Sequence, residues 1–119
     1  MTRALEFYNY AIEVFGEVAT DPRERVLRFI EEAIELAQAA GIDQPKMDAM
    51  LARVYGRPHG NIAQEFGQCM VTLEIAALRL SVDLEKEADA QLVRFKSIPA
   101  EHWRKRQDQK KQLGLTSDA

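Results

Sequence analysis

Cysteine is almost missing from this sequence: Cys69 stands alone among 119 residues. A single thiol forms no internal disulfide and no cysteine-rich metal cluster, which agrees with a reducing compartment. Histidine is nearly as scarce, and neither His59 nor His102 belongs to a Glu-x-x-His pair, so the ligand motif of a ferritin-like di-iron bundle is absent. Any metal is therefore expected on oxygen. No apolar run approaches the roughly 20 residues needed to cross a bilayer, because Glu, Arg, Gln or Asp interrupts each one. Met1 to Tyr10 lacks the basic patch, apolar run and cleavage site of a secretory signal, so the expected location is the cytoplasm, away from membranes. Basic excess is missing too. A net charge of −3 and a pI near 5.4 argue against a nucleic-acid-binding protein, since that binding neutralises phosphates with Lys and Arg. No alternating apolar–polar run of strand length, internal repeat or low-complexity segment is found.

What remains is a chain of 46% apolar residues, long enough for one domain with a core and too short for two. Helical periodicity places six segments. The first runs from about Arg3 to Val18. The second, Pro22 to Ala40, has Asp21 as N-cap, Pro22 in its first turn, Glu24 at N3 to complete a capping box, and Gly41 as its stop. The third spans Pro45 to Tyr55, before the Gly56-Arg57-Pro58 breaker. A fourth, Asn61 to Leu80, is apolar over most of its circumference and so reads as the central, buried helix. Asp83 caps a fifth reaching Phe95, and Ser97 with Pro99 punctuates before a basic C-terminal helix from Ala100 to Gln112. Leu115 to Ala119 is expected to fray. The fold class is all-α, a helical bundle of four or more helices. Broad apolar faces on several short helices point to burial between subunits, hence a homo-oligomer, dimer or tetramer.

Projected at about 100° per residue, the second helix gathers Glu24, Arg28, Glu31, Glu32, Glu35 and Gln38 on one side. Glu31 and Glu35 are at i,i+4 and Glu32 and Glu35 at i,i+3, so three carboxylates can converge. On this helix alone they also read as a solvated face, with Glu24–Arg28 and Arg28–Glu32 ion pairs worth about 0.3 kcal/mol each. The fourth helix shifts that balance. It carries a polar stripe of Asn61, Glu65, Gln68, Thr72 and Arg79, and a buried helix does not carry such a stripe without a partner. Glu65 and Gln68 set opposite Glu31, Glu32 and Glu35 would crowd four carboxylates, which then need protons or a cation. Oxygen donors without His or Cys suit Mg²⁺ or Mn²⁺, and Mg²⁺ commonly joins carboxylates to substrate phosphates.

The segment Arg28-Phe29-Ile30-Glu31-Glu32-Ala33-Ile34-Glu35-Leu36, followed by Gln64-Glu65-Phe66-Gly67-Gln68, resembles the Glu-Glu-x-x-Glu … Glu-x-x-Asp signature of the MazG-like all-α nucleoside triphosphate pyrophosphohydrolases, relatives of the dimeric dUTPases. The resemblance covers about Asp21 to Leu80. It implies a MazG-like bundle and Mg²⁺-dependent hydrolysis of a (deoxy)nucleoside triphosphate to the monophosphate and pyrophosphate. It puts Glu31, Glu32, Glu35 and Glu65 in the catalytic and metal-binding positions, with Gln68 as a further ligand, and makes Arg28, Arg104, Lys105 and Lys110 candidate phosphate contacts. Gln68 departs from the signature: it offers a carbonyl oxygen but neither charge nor basicity. That departure supports a second reading, a catalytically impaired relative serving as a nucleotide-binding or protein-interaction module. Asn61 and Thr72 are candidates to orient the ligands. Cys69 reads as a small buried residue and His59 as a surface one, while Trp103 either anchors the last helix or stacks on a base.

Overall fold

Local capping chemistry sets most of the helix boundaries. The computed structural model describes residues 1–119 and is all-α, with no strand. Helix α1 is Arg3–Phe15, followed by a 3₁₀ segment Gly16–Thr20; α2 is Pro22–Ala39, α3 Gln44–Tyr55, α4 Ile62–Arg79, α5 Leu84–Ser97 and α6 Ala100–Gln112. Carboxylate or amide oxygens of Asp43, Asn61 and Asp83 accept from the backbone N–H of Lys46, Gln64 and Lys86, each supplying a partner for an otherwise orphaned donor. At the other ends, α2, α4 and α6 close alike. Ile42 N–H donates to the Ala37 carbonyl, Val82 to Ala77 and Leu115 to Lys110, with Gly41, Ser81 and Gly114 at positive φ.

The expected continuous first helix is instead broken at Gly16, whose φ of 77° leaves the helical region, so the chain reaches Thr20 in 3₁₀ form. The expected capping box at α2 does not form either. Asp21 accepts from Arg23 N–H at 3.0 Å, but its own N–H donates to the Val18 carbonyl, and the Glu24 carboxylate is bonded elsewhere.

The chain divides into two compact units, residues 1–35 with 88–119 and residues 36–87, whose boundaries fall inside α2 and α5 rather than in linkers. In unit 1 the core is small: Ala11 and Val14 of α1, Ala19 and Trp103 of α6. Trp103 stacks on Phe95 with centroids 4.3 Å apart and donates its indole N–H to the Phe95 carbonyl at 3.0 Å, while Phe7 and Tyr10 meet Phe95 edge-on. Trp103 is therefore the anchor of α6; burying such a ring stabilises by about 1.5–3 kcal/mol, with about 0.5–1.5 more from the aromatic pair.

The last residues do not run free, as the expectation of fraying had it. Thr116 is buried, its hydroxyl donates to Asp118 at 2.7 Å, Lys111 pairs with Asp118, and Ser117 N–H donates to Glu24.

Unit 2 holds α3, α4 and the adjoining ends of α2 and α5. Its one buried residue is Ala77. The expectation that α4 is a buried central helix therefore fails within the chain: Ile62, Phe66 and Leu78 are 77%, 65% and 77% exposed. Cys69, expected to be buried, is exposed as well. No helix is long and apolar enough to cross a membrane.

Candidate metal centre

Two successive turns of α2 bring Glu31, Glu32 and Glu35 together, as their i,i+3 and i,i+4 spacings require. One carboxylate oxygen from each lies within 4.8 Å of the other two. Glu31 is half-buried, and Glu32 and Glu35 are exposed. The Glu32 carboxyl is held above its ordinary range, first by partial desolvation, then by the Glu35 charge, a hydrogen bond with Glu35 that favours the protonated form, and Glu31; Lys110 opposes this. Such crowding of hard oxygen donors is relieved by a proton or a cation, and the donor set suits Mg²⁺ or Mn²⁺.

A cation of the protein's own already attends the cluster. Lys110 on α6 places Nζ 2.6 Å from Glu31 Oε1, and one terminal nitrogen of Arg28 lies 3.8 Å from the same oxygen. Arg28 is itself committed on other sides, since it donates to the Leu115 carbonyl and sits 3.4 Å from Glu24. Two of the four candidate phosphate contacts thus border the glutamates. Arg104 is used structurally, donating Nε–H to the Val14 carbonyl at 2.9 Å and so tying α6 to α1. Lys105 is exposed on α6.

None of the protein families, curated proteins or solved structures compared with the chain matches it. The residues alone carry the functional argument.

Glu65 and Gln68 belong to unit 2, on the first two turns of α4, and are exposed there. The Glu65 side chain folds back toward Gly60, where a Cβ would come within 2.5 Å of its Oε1. The two residues expected to orient ligands are engaged with their own helix instead. Asn61 Oδ1 caps α4 by accepting from Gln64 N–H, and the Thr72 hydroxyl donates to the Gln68 carbonyl at 2.8 Å. Both hydrogen bonds lie within α4.

Sequence reasoning paired Glu24 with Arg28, as the structure does, but missed its burial. It is fully buried and accepts from Gln107 Nε2 and Ser117 N–H, both at 3.0 Å, with Arg28 Nε at 3.4 Å and a terminal nitrogen of Arg25 at 3.9 Å. One carboxylate thereby joins α2, α6 and the C-terminal segment directly beneath the Arg28 that borders the cluster. Its position on the polar side of α2 gave no sign of burial, because the partners that cover it lie more than 80 residues away.

Proposed function

We propose that this chain is a Mg²⁺-dependent (deoxy)nucleoside triphosphate pyrophosphohydrolase, with Mn²⁺ as an alternative ion, acting as a cytoplasmic homo-oligomer. The observation that supports this reading best is the trio of Glu31, Glu32 and Glu35 with mutually close oxygens, bordered by Lys110 and Arg28. Carboxylates able to share a divalent ion beside two basic side chains match what a triphosphate–metal complex needs: negative ligands for the ion and positive groups for the phosphate oxygens. The ion would neutralise phosphate charge and act as a Lewis acid. Glu31, Glu32 and Glu35 would hold it, and Lys110 would exchange Glu31 for a phosphate oxygen when substrate arrives. The reaction adds one water across the bond between the α- and β-phosphates and releases a monophosphate and pyrophosphate. Glu65 and Gln68 enter this reading from the sequence resemblance alone.

A second reading, a nucleotide-binding or protein-interaction module without turnover, is favoured by two particulars. Gln68 is neutral where the signature has an acid, and Lys110 already compensates Glu31. Incubating a panel of ribo- and deoxynucleoside triphosphates with Mg²⁺ or Mn²⁺, and measuring pyrophosphate and phosphate separately, decides between them. Pyrophosphate release that is lost in Glu35→Gln, with helicity retained, supports the hydrolase. Nucleotide binding without release of either product supports the module, and wild-type turnover in Glu35→Gln sinks the catalytic assignment.

A further inference from the structure

Glu24, Arg28 and Glu31 follow one another along α2 in steps of four and three residues, so one guanidinium lies within reach of two carboxylates. The way Arg28 is shared between them decides how many positive charges a divalent ion must displace from the glutamate cluster. Glu31 Oε1 already carries Lys110 Nζ at 2.6 Å. A second full ion pair, to Arg28, would close that oxygen to any other cation.

Arg28 is held on the side of Glu24. Its Nε lies 3.4 Å from Glu24 Oε2, and its Nη2 donates to the Leu115 carbonyl. Nη1, on the side of Glu31, stops 3.8 Å from Oε1, and it is buried without a hydrogen bond. An unpaired buried N–H is unfavourable, yet here the guanidinium forgoes a charge-assisted bond that a small shift would make. Something holds it back.

The reason is a difference in burial. Glu24 has no exposed side-chain surface, whereas 27% of the Glu31 side chain meets solvent. Water and Lys110 both stabilise the charge on Glu31, but only protein groups stabilise the charge on Glu24. Gln107 and the Ser117 N–H bring dipoles to it, and Arg25 approaches no nearer than 3.9 Å. Moving Arg28 onto Glu31 would strip a buried carboxylate of its nearer cation, which costs more than a partly exposed ion pair returns. The second tether comes from the same part of the chain. Leu115 follows α6, the helix whose Gln107 bonds to Glu24, so the segment that buries Glu24 also fixes the far side of Arg28.

We infer that Glu24 is a positioning residue for the metal centre: with the Leu115 carbonyl it keeps Arg28 off Glu31, so that an incoming divalent ion displaces Lys110 alone. The inference rests on the metal-centre reading of Glu31, Glu32 and Glu35. Glu24 touches neither ion nor substrate and acts through Arg28.

The test uses Glu24→Gln, which keeps the shape of the side chain and can still accept from the Ser117 N–H, but lacks the charge that holds Arg28. In a metal-free crystal structure of that variant, Arg28 Nη1 should close to hydrogen-bond distance from Glu31, about 2.7–3.2 Å. Calorimetric titration should show Mn²⁺ affinity about three- to tenfold weaker than wild type, because the ion now displaces two cations. Adding Arg28→Met to Glu24→Gln should bring the affinity back to the wild-type value or above. A purely structural role for Glu24 would not be rescued by removing a second member of its network. Unmodified protein supplies a further arm: on titration with Mg²⁺ the NMR signal of the Lys110 side chain should move while that of Arg28 Nε–H stays. An Arg28 Nη1 that remains as far from Glu31 in Glu24→Gln, or an affinity that the double variant does not restore, overturns the positioning role. Where Glu24→Gln fails to fold, an Arg28 signal that moves in step with Lys110 in the wild type overturns it. A wild-type chain that binds neither Mg²⁺ nor Mn²⁺ overturns the metal centre itself, while the metal-free structure still judges the hold of Glu24 on Arg28.

Discussion

The ammonium of Lys110 sits 2.6 Å from one oxygen of Glu31, so α6 delivers a positive charge to the carboxylate cluster of α2. Both side chains are about three-quarters shielded from solvent, at 22% and 27% exposure, which spares the pair much of the screening that weakens surface ion pairs. A divalent ion bound to Glu31 must compete with that ammonium. Lys110→Met should therefore raise Mn²⁺ affinity by about two- to fivefold while weakening binding of the triphosphate. Calorimetric titration checks both directions. An unchanged Mn²⁺ affinity would mean that Glu31 is the structural partner of Lys110 and not a ligand.

Removing the fully buried Glu24 is costly. Glu24→Ala leaves Ser117 N–H and Gln107 without their acceptor and the Arg28 guanidinium without its carboxylate partner. Breaking a buried charged network in this way costs about 3–5 kcal/mol. The C-terminal segment should become an early protease site in the same variant, because Ser117 is held to α2 through Glu24. Urea denaturation with limited proteolysis reads both effects, and a loss below about 1 kcal/mol would show that the network contributes little.

The pH dependence of the metal-free protein has two parts of opposite sign. The folded-state pKa of Glu32 is raised above its ordinary 4.5, so its contribution to stability is fully present below that value and is lost as pH rises through the raised one. Asp21 and Asp118 are lowered from 3.8, chiefly by the neighbouring Ser117 side chain for Asp21 and by the hydrogen bond from the Thr116 hydroxyl for Asp118. Their contributions are present above 3.8 and disappear as pH falls through the lowered values. Glu32→Gln should accordingly melt higher than wild type near neutral pH without metal, with the gap closing as pH falls toward 4.5. Thermal melts in chelator across that range test this. A gap that does not change with pH would show that the three carboxylates are not coupled.

Ser81 ends α4 with φ at 58°, the left-handed conformation that glycine adopts at the matching ends of α2 and α6. A side chain there is strained, so Ser81→Gly should stabilise by about 0.5–1 kcal/mol, less whatever the freer unfolded chain costs. Chemical denaturation gives the sign directly. A destabilised variant would mean that the unfolded-state entropy outweighs the relief of strain.

Much of this molecule follows from neighbours in the sequence. Asp43, Asn61 and Asp83 start helices because a side-chain oxygen three residues upstream can reach an orphaned N–H, and Gly41 stops one because it accepts positive φ. The convergence of Glu31, Glu32 and Glu35 is equally local, since helical spacing alone brings their carboxylates to one place. Tertiary structure decided what depends on distant chain: the burial of Glu24 by Gln107 and Ser117, the capture of Arg104 by the Val14 carbonyl, and the meeting of Lys110 with Glu31. Periodicity could not foresee these, because a polar side of a helix looks the same whether water or a remote segment covers it. The same limit explains α4. Its residues specify that it must be covered, but a sequence pattern records only the hydrophobic demand, and only the fold reveals that Ala77 alone is buried in unit 2.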